Sequence, residues 1–131
     1  MIVLDTHAWV WWVGEPEKLS PKARDQIERA SAEREVYVSS ISAWEVAMLV
    51  DRGRLKLTLD VRDWIARSES LPALRFVPVD NSIAVTSISL PGYRNQDPAD
   101  RIIIATALAL GMKVVTKDRK IRGYSGVASL W

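Results

Sequence analysis

The sequence predicts one α/β domain in which a central parallel sheet lies between two layers of helices. Short runs of apolar, mostly β-branched residues, such as Ile2-Val3-Leu4 and Val114-Val115, alternate with longer segments of helical pattern. This alternation is typical of parallel sheets whose two faces are covered by helices. The length of 131 residues suits a single domain with a substantial core, which we expect residues 1–131 to form.

Strands are predicted wherever a short apolar run is bounded by turn or helix signals. They fall at 2–4, 36–38, 76–79 and 114–115, with a final short strand at 128–130. Pro78 lies within the third run and cannot donate a backbone hydrogen bond, so we expect this strand to lie at an edge or to end there.

Helices are predicted from their end signals as well as from apolar periodicity. Ser20-Pro21 and Asp97-Pro98 each pair an N-cap residue with a proline suited to the first helical position. Gly53 and Gly111 are placed to end helices. The predicted helices cover 6–13, 21–33, 40–52, a segment capped by Asp60, 82–89 and 98–110, and residues 90–96 are predicted to be a loop.

The composition excludes several classes of protein. Cysteine is absent, which rules out disulfides, thiolate metal sites and a cysteine nucleophile, and His7 is the only histidine. No apolar run is long enough for a membrane span or resembles a secretion signal, so we expect a cytoplasmic protein without a membrane partner. The net charge of +2 is weak evidence for a nucleic-acid partner.

Four carboxylates stand at positions where α/β domains bind ligands, namely beyond the carboxyl ends of parallel strands. Asp5 follows the first strand, and Asp118 follows the strand at 114–115. Asp100 lies in the first turn of an almost wholly apolar helix, and Glu45 lies on the helix that follows the second strand. We expect the fold to gather these four side chains at one edge of the sheet.

Each of the four has a purely structural alternative. Asp5 and Asp118 are also suited to helix capping or turns, and Asp100 is favoured at a helix N-terminus by the macrodipole. Glu45 has only apolar or small neighbours three and four positions away, so it either faces solvent along a narrow stripe or has a cationic ligand.

A cluster of four carboxylates requires a cation. Two carboxylates at 4 Å repel by about 4 kcal/mol at an effective dielectric constant of 20. Oxygen-only sites rich in carboxylates suit Mg²⁺ or Mn²⁺, which bind phosphates and activate water for in-line attack. The neighbouring Arg101, Lys117 and Arg119 are candidates for holding a phosphodiester backbone, although such residues also occur on ordinary solvated surfaces.

Four segments, in this order and spacing, resemble the PIN domain, and specifically the VapC-type toxins of toxin–antitoxin pairs. They are Asp5-Thr6-His7-Ala8, the segment 40–47 around Glu45, the segment 97–107 that begins Asp-Pro-Ala-Asp-Arg, and Val114-Val115-Thr116-Lys117-Asp118. Together they span nearly the whole chain.

The resemblance implies a Mg²⁺- or Mn²⁺-dependent endoribonuclease with its acidic cluster at Asp5, Glu45, Asp100 and Asp118. It implies a supporting hydroxyl at Thr116, an RNA substrate, an inhibitory antitoxin protein and a homodimer. Asp97 is assigned mainly to capping the helix, with a possible second role toward metal-bound water. His7 is expected to be structural, with contact to RNA or proton donation as the alternative.

Other readings of the same residues remain. A haloacid-dehalogenase-type phosphatase requires an acid at position 7, where His7 stands, and a receiver domain requires a strand-ending aspartate near residue 50, where Asp51 instead ends a helix. A non-catalytic RNA- or protein-binding module is the main alternative, because the six tryptophans could stack on bases. The apolar run 9–13 predicts either an interface with a partner or a helix enclosed by its own core.

Overall fold

The computed structural model describes all residues, 1–131, and its centre is a five-stranded sheet. The strands are β1 Ile2–Leu4, β2 Val36–Ser39, β3 Leu74–Val77, β4 Lys113–Val115 and β5 Ser129–Leu130. Every pairing is parallel, and the order across the sheet is β3-β2-β1-β4-β5. The predicted parallel sheet is therefore confirmed, with β1 in its middle.

Seven helices and one 3₁₀ turn connect and cover the strands. They are α1 Thr6–Gly14, α2 Pro21–Ala32, α3 Ser40–Asp51, α4 Val61–Glu69, α5 Asn81–Ile88, α6 Pro98–Leu110 and α7 Arg119–Arg122, with the 3₁₀ turn at Pro16–Lys18. Side chains that cap a helix N-terminus include Ser20, Asp60 and Asp97. Gly53 and Gly111 have positive φ, as expected for residues that end α3 and α6.

Helices pack on both faces of the sheet and form two cores. Alternate residues of β1 point to opposite faces: Ile2 and Leu4 belong to the larger core with α1, α2 and α4, whereas Val3 packs with α6. Ile103 and Ile104 of α6 are fully buried in the smaller core. This arrangement confirms the three-layer α/β architecture.

The third strand differs from the prediction by two residues. It covers Leu74–Val77 and pairs with β2 from Val36 to Ser39. Arg75 interrupts the apolar run in the sequence, and its exposure at the edge of the sheet explains why a charge is tolerated there. Pro78 follows the last paired residue, as expected for a residue that cannot continue the hydrogen-bonded ladder.

Most of the apolar run on α1 is covered from within the chain. Trp9 is fully buried, its ring packs on Trp64 and Phe76, and its indole N–H donates to Ser68 Oγ at 3.2 Å. Trp11 and Trp12 are half-buried against the same core. The structure thus favours the enclosed helix over an interface for the first part of this run. No helix has the length and apolar character that crossing a membrane requires.

Candidate active site

The candidate site lies where the chain changes direction across the sheet. From β1 the chain adds β2 and β3 on one side, and it then returns to add β4 and β5 on the other. The loops that leave β1 and β4 therefore diverge and open a crevice at their carboxyl ends, which is the usual place for a ligand in such sheets. Asp5 and Thr116 are the first residues beyond these two strands.

Asp5 is held firmly in this crevice. Its side chain is only 8% exposed, and one carboxylate oxygen accepts a hydrogen bond from the Ala8 backbone N–H at 2.8 Å, which caps α1. The other oxygen accepts a hydrogen bond from the Thr116 hydroxyl. The capping role and a place in the acidic cluster are thus compatible, because each uses a different oxygen.

Thr116 joins Asp5 to Asp118. Its side chain is fully buried, and its hydroxyl oxygen accepts the Asp118 backbone N–H at 3.0 Å while donating to Asp5. Asp118 in turn caps α7, since one of its oxygens accepts from the backbone N–H groups of Lys120 and Ile121. Thr116, in the short turn from β4 to α7, thereby holds Asp5 and Asp118 close together.

Glu45 reaches the crevice from α3. This helix begins directly after β2, where Ser39 caps it, and Ser42 lies one turn before Glu45. The buried hydroxyls of Thr6 and Ser42 are hydrogen-bonded at 2.9 Å and fix α3 against α1. Glu45 is half-buried at the cavity wall, so the structure does not place it on an isolated solvent stripe.

Asp97 and Asp100 both stand at the N-terminus of α6 but make different contacts. Asp97 is exposed and caps the helix, accepting from the backbone N–H groups of Ala99 and Asp100 at 2.9 and 3.2 Å. Asp100 is half-buried and accepts a hydrogen bond at 3.0 Å from the side-chain amide of Asn95. The same amide nitrogen donates to the Tyr93 hydroxyl at 3.2 Å, so Asn95 orients the Asp100 carboxylate.

These acidic residues line one cavity of about 510 Å³, which we call the acidic cavity. Its wall consists of Asp5, Thr6, His7, Trp11, Glu45, Asp97, Asp100, Lys117 and Asp118. All four carboxylates selected from the sequence are therefore brought together, and Asp97 joins them.

The acidic cavity is electrostatically strained. Burial, followed by repulsion from Asp97, Asp118, Glu45 and Asp5, raises the pKa of Asp100 from 3.8 to about 7. Burial also raises the pKa of Asp5, although its hydrogen bonds to Thr116 and Ala8 act in the opposite direction. None of the three ion pairs in the protein involves these carboxylates. His7 and Lys117 share the cavity but form no ion pair with these acids, so the repulsion among the acids is offset only in part.

This donor set fits a divalent cation that prefers oxygen ligands. Carboxylates are the side chains that Mg²⁺ and Mn²⁺ prefer, and a cation would relieve the repulsion that raises the pKa of Asp100. With the side chains as they stand, no three acidic or imidazole groups are already arranged around one point as metal ligands. Hydrogen bonds orient Asp5, Asp100 and Asp118 within the set.

Three further residues of the acidic cavity could meet a substrate. Lys117 is exposed, and its ammonium group lies 5.8 Å from the centre of the Trp11 ring. The exposed His7 ring lies 5.6 Å from the same indole ring. Arg119, by contrast, is exposed on α7 but does not line the cavity.

The surroundings of Arg101 do not fit the RNA contact predicted for it from the sequence. Its side chain is buried, with 8% exposure, and its guanidinium group donates to the backbone carbonyls of Ser87, Ile88, Tyr93 and Asn95 at 2.7–3.2 Å. These contacts tie the end of α5 and the loop before α6 to α6 itself. We therefore assign Arg101 a structural role and leave it out of the nucleic-acid contacts.

Three residues of or beside the site were not predicted from the sequence: Trp11, which lines the acidic cavity, and Asn95 and Ser42, which contact Asp100 and Thr6. Ser42 gave a weak signal, since it lies one helical turn before Glu45. Asn95 gave none, because a loop asparagine before an Asp-Pro cap is an ordinary turn residue. Its contact with Asp100 depends on the path of the loop, which Arg101 holds in place.

The comparisons with known proteins agree with this fold. Residues 2–127 match the PIN domain family. The chain is 38% identical over 123 residues to Ribonuclease VapC22 of Mycobacterium tuberculosis, covering 94% of this chain and 91% of that protein.

Two solved structures share the fold. FitAcB from Neisseria gonorrhoeae has a TM-score of 0.69 at 25% identity, covering 100% of this chain and 97% of that one. A toxin–antitoxin complex from Klebsiella pneumoniae contains a chain with a TM-score of 0.65 at 18% identity, again covering 100% and 97%. An acidic cavity at the direction change of a parallel sheet, together with these matches, defines the class: the chain belongs to the PIN domain family.

Proposed function

We propose that this chain is a metal-dependent endoribonuclease that acts as the toxin of a toxin–antitoxin pair and is cytoplasmic. The observation that carries the proposal is the acidic cavity, in which Asp5, Glu45, Asp100 and Asp118 meet and none of them forms an ion pair with a basic side chain. The 38% identity to a protein named as a ribonuclease supports hydrolysis of RNA.

The four carboxylates would hold Mg²⁺ or Mn²⁺. When bound, the metal supplies positive charge for the scissile phosphate and lowers the pKa of a water molecule. Asp5 is held for this role by Ala8 and Thr116, and Asp100 is held by Asn95. These hydrogen bonds orient the carboxylates, so less reorganisation is needed when a metal binds.

The remaining residues of the acidic cavity would bind and orient RNA. Lys117 stands at the rim, where its ammonium group can meet a phosphate, and Arg119 follows on the exposed start of α7. The ring of Trp11 gives the cavity an aromatic wall on which a base can stack. No side-chain nucleophile is needed, which is consistent with the absence of cysteine.

The Asp5→Asn variant tests the proposed activity directly. Asparagine keeps an oxygen for the Ala8 N–H and can donate to Thr116, so we expect the variant to fold. Because the charge that would hold the metal is lost, cleavage of RNA in Mg²⁺ or Mn²⁺ should fall by at least about 100-fold. The measurement is cleavage of a mixed RNA pool with each metal and with EDTA.

The matched control is Asp80→Asn, the same change at the cap of α5, which lies outside the acidic cavity. It should retain most of the cleavage. Cleavage by Asp5→Asn near the wild-type rate, or wild-type cleavage in EDTA, would contradict the proposed chemistry and favour a non-catalytic binding module.

We further propose an antitoxin protein and a homodimer as partners, on the resemblance of the four sequence motifs to VapC-type toxins. Val85 and Ile88 of α5 are 70% and 78% exposed, and a protein contact would cover such apolar side chains. Co-expression with the product of a short open reading frame immediately upstream should abolish cleavage. The mass of the chain alone in solution should be that of two copies.

A further inference from the structure

A second cavity, of about 720 Å³, borders the acidic cavity and has the opposite charge. Its walls are the loop from Pro91 to Gln96 and the segment that includes Lys120 and Tyr124. We propose that this basic cavity binds the nucleotide next to the scissile phosphate of single-stranded RNA. The inference rests on the proposed ribonuclease function and adds a substrate-binding site to it.

The two cavities share structural elements at their boundary. Asn95 lines the basic cavity, while its side-chain amide donates to Asp100, which lines the acidic cavity. On the other side, the backbone N–H of Lys120 donates to Asp118 at 2.7 Å. A chain whose phosphate lies among the carboxylates therefore reaches the basic cavity with its next nucleotide.

The charges of the basic cavity favour a phosphate. Arg94 and Lys120 are its only charged residues, and both are exposed. Neither side chain forms an ion pair with another residue of the protein. Two unpaired basic side chains beside a carboxylate cluster suit a polyanion. One phosphate would lie at the metal, and the next would contact Arg94 and Lys120.

Contacts within the chain hold the walls of the basic cavity in place. The Tyr124 hydroxyl donates to the carbonyl of Pro91 at 2.8 Å, and the Tyr124 ring packs against Tyr93 at 5.0 Å. Gly126 lies against the Tyr124 ring, and a Cβ at this position would require the ring to shift. Walls held by such contacts lose less conformational entropy on binding.

The size and lining of the basic cavity suit a nucleotide. Cavities of about 300–1,000 Å³ hold ligands of drug size, and a nucleotide is in that range. Tyr124 provides an aromatic wall, and the side-chain amide of Gln96 offers both a donor and an acceptor to a base.

RNA binding by an Arg94→Ala/Lys120→Ala variant tests the proposal. Affinity for a fluorescent single-stranded RNA is measured in EDTA, where metal-dependent cleavage does not interfere. Each lost phosphate contact lowers the slope of log affinity against log salt by about 0.7, so the slope should fall by about 1.4. At 0.1 M salt the affinity should fall by at least about tenfold.

The matched control is Lys22→Ala/Arg24→Ala, which removes one lysine and one arginine from the exposed face of α2. This control should change the affinity less than about twofold. Equal losses in both variants would show a general charge effect, and no loss in either would show that RNA does not enter the basic cavity. Either result overturns the proposal, whereas failure of wild-type cleavage would separately contradict the proposed function.

A series of RNA oligonucleotides locates the site along the substrate. For the wild type, kcat/KM should rise when one nucleotide is added on the side that enters the basic cavity. The Arg94→Ala/Lys120→Ala variant should lose this rise through KM, with kcat on the shortest substrate unchanged. An identical rise in both proteins would contradict the assignment.

Discussion

At the scale of single residues, Asp100 shows most clearly how the acids of the acidic cavity affect one another. Its carboxyl group is half-buried beside four other acids, and its pKa is raised from 3.8 to about 7. Such a shift is unfavourable for folding at neutral pH, because the ionised form is less stable in the folded chain than in the unfolded one. A carboxyl group whose ionisation destabilises the folded chain in this way is a candidate functional residue.

This shift predicts how pH affects the stability of the metal-free protein. Below about pH 4 the Asp100 carboxyl is neutral in both the folded and the unfolded chain. The free energy of unfolding is therefore higher there than at neutral pH. As pH rises toward 7 the unfolded chain ionises first, so stability is lost across this window and then levels off. In EDTA, Asp100→Asn should therefore be more stable than the wild type at pH 7 and about equally stable at pH 4.

Melting temperatures of both proteins across this range give the comparison. Asp80→Asn, which changes another helix-capping aspartate outside the acidic cavity, is the control and should show no such divergence. A constant difference between Asp100→Asn and the wild type at every pH would show that Asp100 does not titrate in this window.

At the scale of elements, the two acids at the N-terminus of α6 have different roles: Asp97 caps the helix, and Asp100 is proposed to hold the metal. Asp97 holds the first backbone N–H groups of the helix, whereas Asp100 faces the cavity and Asn95. Asp97→Ala should destabilise the protein by about 1 kcal/mol, and Asp97→Asn should leave stability almost unchanged, because asparagine also caps well. Asp100→Asn should keep the fold and lose cleavage.

Unfolding in urea and cleavage in Mn²⁺, measured on all three variants, decide the assignment. If Asp97→Asn is stable but inactive while Asp100→Asn remains active, the two roles are reversed.

The guanidinium of Arg101 connects α6 to the loop that carries Asn95. Lysine has one charged nitrogen and cannot reach the four carbonyls that Arg101 contacts. Arg101→Lys should therefore lower the free energy of unfolding by about 2–4 kcal/mol. Cleavage should fall through kcat, because Asn95 no longer orients Asp100.

The salt dependence of RNA binding distinguishes this role from a phosphate contact. The slope of log affinity against log salt should be unchanged in Arg101→Lys and reduced by about 0.7 in Lys117→Ala. A reduced slope with unchanged stability in the Arg101 variant would restore its assignment to RNA binding.

At the scale of the whole molecule, metal binding should stabilise the fold. A ligand that binds only the folded chain adds about 2.7 kcal/mol when present at 100 times its Kd. Mn²⁺ should therefore raise the melting temperature of the wild type, and Glu45→Gln should reduce this increase because one carboxylate of the set is lost. Without metal, Glu45→Gln should be at least as stable as the wild type, since it removes one charge from a repulsive cluster.

Glu69→Gln, an exposed change at the end of α4, is the control and should keep the full response to Mn²⁺. If Glu45→Gln also keeps the full response, Glu45 takes no part in holding the metal.

The sequence by itself determined the α/β class, the order of the five strands and the first six helices, and the choice of the four main acids, whereas the short helix α7 was not predicted. These features are local or periodic: an Asp-Pro cap, a glycine that ends a helix, or a carboxylate directly after a strand can be read from neighbouring residues. The tertiary structure decided that Asp97 and Trp11 also line the acidic cavity, that Asn95 holds Asp100, and that Arg101 is buried. Contacts of this kind depend on where distant segments come to lie against one another, and a residue's type does not reveal which long-range partner the packing will bring to it.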